Sequence, residues 1–253
     1  MTKIYYFSGT GNTLWSAKRI AELLGGDTAV FNIGAEMQKE PGALEADRLV
    51  FMFPSYAYQS PLMVRRFLIR SAIRSPYIAA LVTFGTAPGG ALAEVRRVLK
   101  RKKAVLSFSG SIPSVENYIP IFGPPDEQIV AKRLALQSAA TEEAAKAIEA
   151  GKKNSPWPIR PFSFFVSSLF RMGTPLFVKG YKAGAECNGC GLCERICPAG
   201  AITLKNSRPE FSAKCEHCQA CLNWCPRRSI RYIRLKPDTP RYHHPGITVH
   251  DLF

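Results

Sequence analysis

The strongest constraint on the fold of this chain is a cysteine motif that occurs twice. CNGCGLCERICP begins at Cys187 and CEHCQACLNWCP begins at Cys215; both have the spacing C-x2-C-x2-C-x3-C-P, and each cysteine of the second run lies 28 residues after its counterpart. All eight cysteines of the chain belong to these runs. Zinc sites use pairs of C-x2–4-C and require neither a third cysteine nor a following proline. The duplication therefore indicates a metal-binding region with two equivalent halves, and it disfavours zinc and a disulfide framework.

The spacing resembles that of bacterial ferredoxins with two 4Fe–4S clusters, in which the fourth cysteine of each run binds the other cluster. The resemblance implies two ligand sets: Cys187, Cys190, Cys193 and Cys225 for one cluster, and Cys215, Cys218, Cys221 and Cys197 for the other. Because these sets use every cysteine, His217 is expected to pack beside a cluster rather than to bind iron. Ferredoxins of this type are typically acidic, whereas here Arg227 and Arg228 lie next to a ligand, which favours docking of an acidic redox partner.

Residues 1–150 alternate short apolar runs with segments of helical periodicity. The apolar runs, each predicted to be a buried parallel strand, are IYYF (4–7), AVFNI (29–33), LVFMF (49–53), IAALVTF (78–84) and AVLSF (104–108). Helices are predicted over 13–24, 61–74, 90–103 and 127–153, and the connection 33–47 has the weakest helical pattern. This alternation predicts an α/β fold with a doubly wound sheet. Arg65, Arg66, Arg70 and Arg74 are expected to form a solvated helix face, with docking of an acidic partner as the alternative.

The loop FSGTGNT (7–13) lies between the first predicted strand and the first predicted helix. In doubly wound sheets, ligands bind at the carboxyl ends of the strands. The loop lacks the lysine of a triphosphate-binding P-loop and the G-x-G-x-x-G of a dinucleotide fold. Its hydroxyls, its amide and the helix N-terminus can bind a phosphate without a cationic side chain. A tight turn without a ligand is the alternative.

The stretch IYYFSGTGNTLWSAKRI (4–20) resembles the flavodoxin signature. PSYAYQSP (54–61) resembles the flavodoxin loop that places an aromatic ring against the isoalloxazine, and TFGTAPGGA (83–91) resembles the glycine-rich loop at the polar edge of that ring. The resemblance implies FMN as a cofactor and a five-stranded parallel sheet in the order 2-1-3-4-5. The residues that it implies for FMN binding are Ser8, Thr10, Gly11, Asn12, Thr13, Pro54, Ser55, Tyr56, Ala57, Tyr58, Thr83, Phe84, Gly85, Gly89 and Gly90. The loop 109–120 is expected to reach the flavin or to face the next domain, with Asn117 and Tyr118 as candidates.

The chain is basic, with 34 Lys and Arg against 19 Asp and Glu and a formal net charge of +15. Nucleic acid is the usual partner of such a chain, but no known nucleic-acid-binding motif accompanies the charge, so an acidic redox partner or an anionic substrate is favoured. The most basic segment, 151–183, contains no acidic residue and is rich in proline and aromatic residues. It is expected to connect two domains, with contact to a membrane surface as the alternative. No export signal or membrane-spanning run is recognisable, and the expected location is the cytoplasm.

Together, the two halves resemble the flavodoxin–ferredoxin fusion proteins of anaerobes. The expected organisation is a flavodoxin-like domain over 1–152, a connector over 153–183, a small α+β domain with two 4Fe–4S clusters over 184–236, and a tail over 237–253 that packs back on the first domain. The resemblance implies electron transfer between the two clusters, FMN and a redox partner. Direct reduction of a small acceptor by FMN, such as a quinone or a nitro compound, is the alternative. A regulator that binds nucleic acid or a membrane surface is supported by charge alone.

Overall fold

The computed structural model of the protein describes residues 1–154, 176–233, 235–236 and 238–252. The α/β region (residues 1–154) contains the strands β1 (Thr2–Tyr6), β2 (Thr28–Asn32), β3 (Ala43–Glu45), β4 (Arg48–Pro54), β5 (Ala72–Arg74), β6 (Tyr77–Phe84) and β7 (Phe108–Pro113). Five of them form a parallel sheet in the order β2-β1-β4-β6-β7, and β3 pairs separately with β5. Counted among the five main strands, this order is 2-1-3-4-5, which confirms the predicted flavodoxin-like fold.

Helices cover both faces of this sheet. They are α1 (Asn12–Leu24), α2 (Ile33–Glu36), α3 (Leu62–Arg70), α4 (Ala91–Arg101), α5 (Ile119–Phe122) and α6 (Glu127–Glu149). One apolar core combines the sheet with α1 and α6, and the other combines it with α3 and α4. Neighbouring residues of a strand point to opposite faces, so Val50 and Phe51 of β4 belong to different cores. The sheet is therefore doubly wound, as predicted.

The prediction of a strand over 104–108 is wrong in register. The last strand, β7, begins at Phe108, and its first backbone contact with β6 is the hydrogen bond from the amide of Ser107 to the carbonyl of Ile78, at 2.8 Å. The preceding helix α4 runs antiparallel to the strands, so the chain leaves it at the amino edge of the sheet and needs several residues to return. Val105 lies in this return segment and is 77% exposed. Apolar content identified the segment but not the residues that pair.

Helix α3 is shorter than predicted, because Ala72–Arg74 form β5 beside β3. Its predicted solvated face is only partly solvated. Arg66 is exposed, but Arg70 donates hydrogen bonds to the carbonyl oxygens of Met37 and Glu36, at 2.9 and 3.1 Å. Arg70 therefore binds backbone groups at the end of α2, where a cation is favourable.

The cysteine-rich region (residues 176–236) contains two antiparallel strand pairs. β8 (Tyr181–Ala183) pairs with β11 (Ile230–Tyr232), and β9 (Ile202–Lys205) pairs with β10 (Arg208–Phe211). Single-turn helices, α7 (Leu192–Arg195) and α8 (Ala220–Asn223), occupy equivalent places in the two cysteine runs, 28 residues apart. The sequence repeat is therefore also a structural repeat.

The C-terminal tail packs against the α/β region. The amide of His244 donates a hydrogen bond to the carbonyl of Thr10 at 2.8 Å. Ile247 is buried in the apolar core that includes α1. Two further contacts, a stack of His244 on Trp15 and an ion pair between Lys18 and Asp251, bind the tail along the outside of α1.

The predicted connector, 153–183, is described only at its ends. Residues 155–175 lie outside the described residues, and the last three residues of the connector form β8. In the ranges that the structure describes, no helix has the length and apolar character needed to cross a membrane.

Candidate functional site

The loop between β1 and α1 lines a small cavity of about 50 Å³ at the carboxyl ends of the strands. α1 begins at Asn12 without a capping side chain and without an acidic residue in its first turn. The first N–H groups of a helix have no partner within the helix, and the positive end of the helix dipole lies there. The cavity therefore offers an anion such as phosphate both backbone donors and a favourable potential.

The side chains of this loop are mostly bonded to other protein groups. The hydroxyls of Thr13 and Thr83 share a hydrogen bond of 2.7 Å. Asn12 donates from Nδ2 to the carbonyl of Val115 at 3.1 Å and accepts at Oδ1 from the hydroxyl of Tyr242 at 2.8 Å. The Asn12 amide therefore fixes the loop in place, and the backbone N–H groups are the donors that suit a phosphate.

A larger cavity of about 220 Å³ adjoins the first, and Ser55, Tyr56, Gly85 and Glu116 line both. The other residues that line it are Ala57, Tyr58, Thr86, Ala87, Tyr118, Ile121, Phe122, Glu216 and His217. Its aromatic and aliphatic side chains suit a flat ring system, with a few polar groups to orient it. Every residue predicted to bind FMN lines one of the two cavities, except Gly11, Gly89 and Gly90.

These three glycines shape the loops instead. Gly11 precedes α1 with a φ of 95°. Gly89 packs so closely on Tyr58 that a Cβ would overlap it, and Gly90 donates its N–H to the carbonyl of Tyr58 at 2.8 Å. Ala57 and Tyr58 have φ values of 45° and 68°, as a two-residue type I′ turn requires. The close approach of Gly89 and Gly90 supports this strained turn at the edge of the larger cavity.

The loop 109–120 lines both cavities. Asn117 lines the smaller cavity and Tyr118 lines the larger one. Burial raises the pKa of the Tyr118 phenol, and the nearby charges of Tyr232 and Cys215 raise it further. The loop therefore faces the cavities and the cysteine-rich region at once.

The first predicted ligand set surrounds a space of about 20 Å³, which all four of its cysteines line: Cys187, Cys190, Cys193 and Cys225. Burial raises the pKa of the Cys193 thiol to about 11, and the charges of the other three cysteines raise it further. Several thiolates so close together are unfavourable unless a cation neutralises them. Iron supplies such a positive charge.

The second predicted ligand set is also brought together. Burial raises the pKa of Cys215 to about 11 and the pKa values of Cys218 and Cys221 well above their usual range, and the charge of Cys197 raises all three further. The thiol of Cys197 therefore lies near enough to the second run for its charge to affect these three thiols. No group of three or more His, Cys, Asp or Glu side chains in the described ranges is arranged to hold a single metal ion.

Hydrogen bonds to sulfur support the thiolate form at several of these positions. The amide of Ala201 donates to Cys197 Sγ at 3.3 Å, and the amide of His217 donates to Cys215 Sγ at 3.4 Å. Burial raises the pKa of Cys225, but hydrogen bonds, first of all with the Ser229 hydroxyl, outweigh it and hold this pKa below its usual value. Such bonds are one of the means by which proteins tune iron–sulfur potentials.

The two runs differ at two positions with positive φ. In the first run these positions are Gly189 and Gly191, with φ values of 71° and 74°. In the second run His217 and Gln219 adopt φ values of 52° and 63°, which non-glycine residues rarely do. His217 lines the larger cavity, so this strained residue lies where the second run meets the α/β region. Strain of this kind tends to occur at functional sites.

The sequence model of the family described as "4Fe-4S dicluster domain" matches residues 186–230, which include all eight cysteines. The matched residues lie within the cysteine-rich region. No curated protein sequence matches the chain.

Comparison with solved structures gives matches to the α/β region. Rubredoxin oxygen:oxidoreductase from Desulfovibrio gigas is 15% identical with a TM-score of 0.35, over 58% of this chain and 36% of that chain. The two-electron reduced flavodoxin of Megasphaera elsdenii is 19% identical with a TM-score of 0.36, over 58% and 100%. An NADPH-quinone reductase from P. pentosaceus is 14% identical with a TM-score of 0.31, over 55% and 97%. Because these TM-scores are low, the flavodoxin-like fold is inferred from the strand order β2-β1-β4-β6-β7 and not from these matches.

The cysteine-rich region contacts the α/β region directly at the predicted phosphate loop. A Cβ on Gly9 would overlap the backbone carbonyl of Cys218. The indole Nε1 of Trp224 donates a hydrogen bond to the carbonyl of Gly9 at 3.0 Å. Tyr56 lies on the same border. Burial raises the pKa of its phenol, and the negative charges of Cys218 and Glu216, both in the cysteine-rich region, raise it further. The second cysteine set and the two cavities are thus neighbours.

Sequence patterns did not identify three residues at this border: Glu116, Glu216 and Trp224. His217 was expected to pack beside a cluster, but not to line a cavity of the α/β region. Glu216 lies between two cysteines of the second run, and this position was the only local signal for it. Glu116 lies in the loop 109–120, one residue before the candidate Asn117. Its Oε1 accepts the amide hydrogens of Asn117 and Tyr118 at 3.0 and 3.2 Å, so it holds this loop against the cavities.

Proposed function

We propose that the protein transfers electrons between two 4Fe–4S clusters, FMN and a redox partner protein. The observation that carries the proposal is the close packing of Gly9, in the loop suited to phosphate, on Cys218 of the second cysteine set. Bound FMN exchanges one or two electrons, whereas each cluster exchanges one. A chain that keeps both sites in contact links one-electron carriers to two-electron chemistry without a diffusional encounter.

The two adjoining cavities support the assignment of FMN. The backbone N–H groups of the loop 8–13 would hold its phosphate, and Tyr56, Tyr58 and Tyr118 would enclose its ring. The raised pKa of Tyr56 keeps the phenol protonated, so it adds no charge to the cavity. Glu116 and Glu216 line the same cavity. Carboxylates there disfavour additional negative charge and would lower the potential of a bound flavin.

The grouping of the thiols supports two clusters. Each set has four cysteines, and each set combines three from one run with the last cysteine of the other. The hydrogen bonds to Cys197, Cys215 and Cys225 would stabilise negative charge on the ligands and raise the cluster potentials. We therefore propose that the eight cysteines hold two clusters and that the protein works in the cytoplasm.

A matched pair of variants tests it, because Cys190 and Cys218 hold the same position in the two runs. The full-length protein is reconstituted anaerobically with FMN, iron and sulfide, and the clusters are then reduced. Each alanine variant should lose one cluster. Cys218→Ala should also slow reduction of the flavin by the clusters, because its set adjoins the cavities, whereas Cys190→Ala should leave the neighbouring set intact. A reconstituted wild-type protein without flavin or iron–sulfur absorbance would contradict the proposal, as would equal flavin reduction rates in the two variants.

Direct reduction of a small acceptor at the flavin is the second candidate function. It is favoured by the rim of the larger cavity, where Ile121 and Phe122 are 66% and 62% exposed. Exposed apolar residues at a cavity suit an apolar acceptor such as a quinone. Steady turnover of a quinone without any partner protein, faster than reduction of a protein acceptor, would favour this function over electron transfer.

A further inference from the structure

The two cysteine sets differ in their distance from the α/β region, so one is an inner set and the other an outer set. Cys218 packs against both apolar cores of the α/β region. Its counterpart Cys190 is exposed, and the space around its set is lined only by residues of the cysteine-rich region. The second set is therefore the inner one, and the first set faces outward. A partner protein can reach the outward set without displacing the α/β region.

Basic residues lie next to residues that line the outward set, in the chain or across the β8–β11 strand pair. Arg227 and Arg228 follow Cys225 after a single proline, and both are exposed. Lys182 on β8 and Arg208 on β10 are also exposed, and the Arg208 guanidinium donates a hydrogen bond to the backbone of β8 at 3.1 Å. None of these four cations forms an ion pair with another described residue. They leave positive charge exposed around the outward cysteines.

The neighbouring carboxylates do not cancel this charge. Glu186 binds Arg231 through both carboxylate oxygens, at 2.5 and 2.6 Å. Glu210 lies 3.7 Å from Lys205. Glu194 accepts the amide hydrogen of Leu204 at 3.0 Å. Of these three carboxylates, only Glu194 has no cationic partner among the described contacts. The surplus charge of this face is positive.

We infer that the outward face docks an acidic one-electron carrier protein. The carboxylates of the carrier would contact Arg227, Arg228, Lys182 and Arg208. The inference rests on the proposed function and adds to it the site and the charge of the partner. In each encounter one electron passes between the two proteins, so one is oxidised and the other reduced by one electron. Complementary charge accelerates such encounters, and salt weakens them.

A second basic surface supplies a matched control. Arg97 and Lys100 are exposed on α4, toward the end of the helix that lies at the amino edge of the sheet. The cavities lie at the opposite edge. Replacing Arg97 and Lys100 by glutamate changes the net charge as much as replacing Arg227 and Arg228. A difference between the two double variants therefore reports position and not net charge.

The experiment measures binding of the reconstituted full-length protein to an acidic bacterial ferredoxin by isothermal titration calorimetry, at low and high salt. The basic protein cytochrome c serves as the opposite probe. R227E/R228E should weaken ferredoxin binding about tenfold or more and reduce its salt dependence, whereas R97E/K100E should bind like the wild type. Equal losses in both variants, or no loss in either, would overturn the inference. Equal binding of cytochrome c by the wild type would overturn it as well.

A second variant covers the case in which R227E/R228E disturbs the nearby cysteine ligand. K182E/R208E changes the same face on β8 and β10, away from that loop. Iron content and visible absorption are compared before binding is measured. If R227E/R228E loses iron, unchanged binding by K182E/R208E overturns the inference and weakened binding supports it. Calorimetry detects docking whether or not electrons reach the flavin, so intact binding without flavin reduction would contradict the proposed function alone.

Discussion

Trp224 of the cysteine-rich region donates a hydrogen bond from its indole Nε1 to the carbonyl of Gly9, at 3.0 Å. Gly9 belongs to the loop between β1 and α1, so a single bond joins the cysteine-rich region to the predicted phosphate site. The indole is buried and stacks on His243 of the tail, with ring centroids 4.1 Å apart. Three parts of the chain therefore meet at one residue.

Trp224→Phe should destabilise the protein by about 1–3 kcal/mol, because the buried carbonyl of Gly9 loses its donor while the aromatic stack is kept. Urea unfolding followed by fluorescence measures this loss. The control is Trp15→Phe, which also removes an indole nitrogen and keeps a ring on a histidine of the tail. The Trp15 indole donates no hydrogen bond to another described residue. A loss at Trp15 as large as that at Trp224 would contradict a specific role for the bond to Gly9.

Gly9→Ala should weaken FMN binding and lower the melting temperature. The added methyl group would overlap the backbone carbonyl of Cys218, which is not the end of a flexible side chain, so the loop has to move. Overpacking of this kind costs about 1–3 kcal/mol. The control is Gly42→Ala, because a Cβ at Gly42 meets nothing within 4 Å. Fluorescence titration with FMN and thermal unfolding are the measurements, and equal results for the two variants would refute the prediction.

The features that sequence patterns predicted correctly depend on local spacing. The 28-residue period of the cysteine runs predicted a region with two equivalent halves, and α7 and α8 occupy equivalent places in the two runs. The alternation of apolar runs and helices predicted the doubly wound α/β sheet, and the resemblance to flavodoxins predicted its strand order. These patterns are repeated over many residues, so an error at one position does not change the result.

The features that sequence patterns missed depend on how distant segments pack. Nothing near Trp224 in the sequence indicates that its indole reaches Gly9, since the two residues are 215 positions apart. Glu116 and Glu216 come from different regions and line one cavity only because those regions pack together. The error at 104–108 has a similar origin, because strand register depends on where α4 returns the chain to the sheet.

Tyr242→Phe should weaken FMN binding more than its effect on stability accounts for. The hydroxyl of Tyr242 donates to Asn12 Oδ1 at 2.8 Å, and Asn12 is the first residue of α1. Loss of one such bond costs about 0.5–1.5 kcal/mol. The matched control is Tyr77→Phe, which removes a hydrogen bond of 3.0 Å to the carbonyl of Lys152, away from the cavities. Both variants should lose similar stability in urea, and only Tyr242→Phe should raise the Kd for FMN. Unchanged FMN affinity in Tyr242→Phe would show that the tail does not support the loop.

The stability of the tail should depend on pH through His244. Burial lowers the pKa of His244 to about 4, and the charge of His243 lowers it further. Its ring is stacked on Trp15, and its Nδ1 accepts the amide hydrogen of Gly246 at 3.1 Å, which requires an unprotonated nitrogen. A histidine in the unfolded chain titrates near pH 6.5. Between these values the unfolded state binds more protons than the folded state, so stability is full above about pH 6.5 and falls as the pH drops toward 4.

His244→Phe keeps an aromatic ring against Trp15 and removes the titrating group, so its free energy of unfolding should fall less than that of the wild type between pH 6.5 and about 4.5. Urea unfolding at several pH values measures the difference in slope. The control is His250→Phe, which changes an exposed histidine on the same tail and should follow the wild-type profile. If His244→Phe also follows that profile, His244 is not the group that couples the tail to pH. If both variants reduce the dependence of the free energy of unfolding on pH, the effect comes from the number of histidines and not from burial beside Trp15.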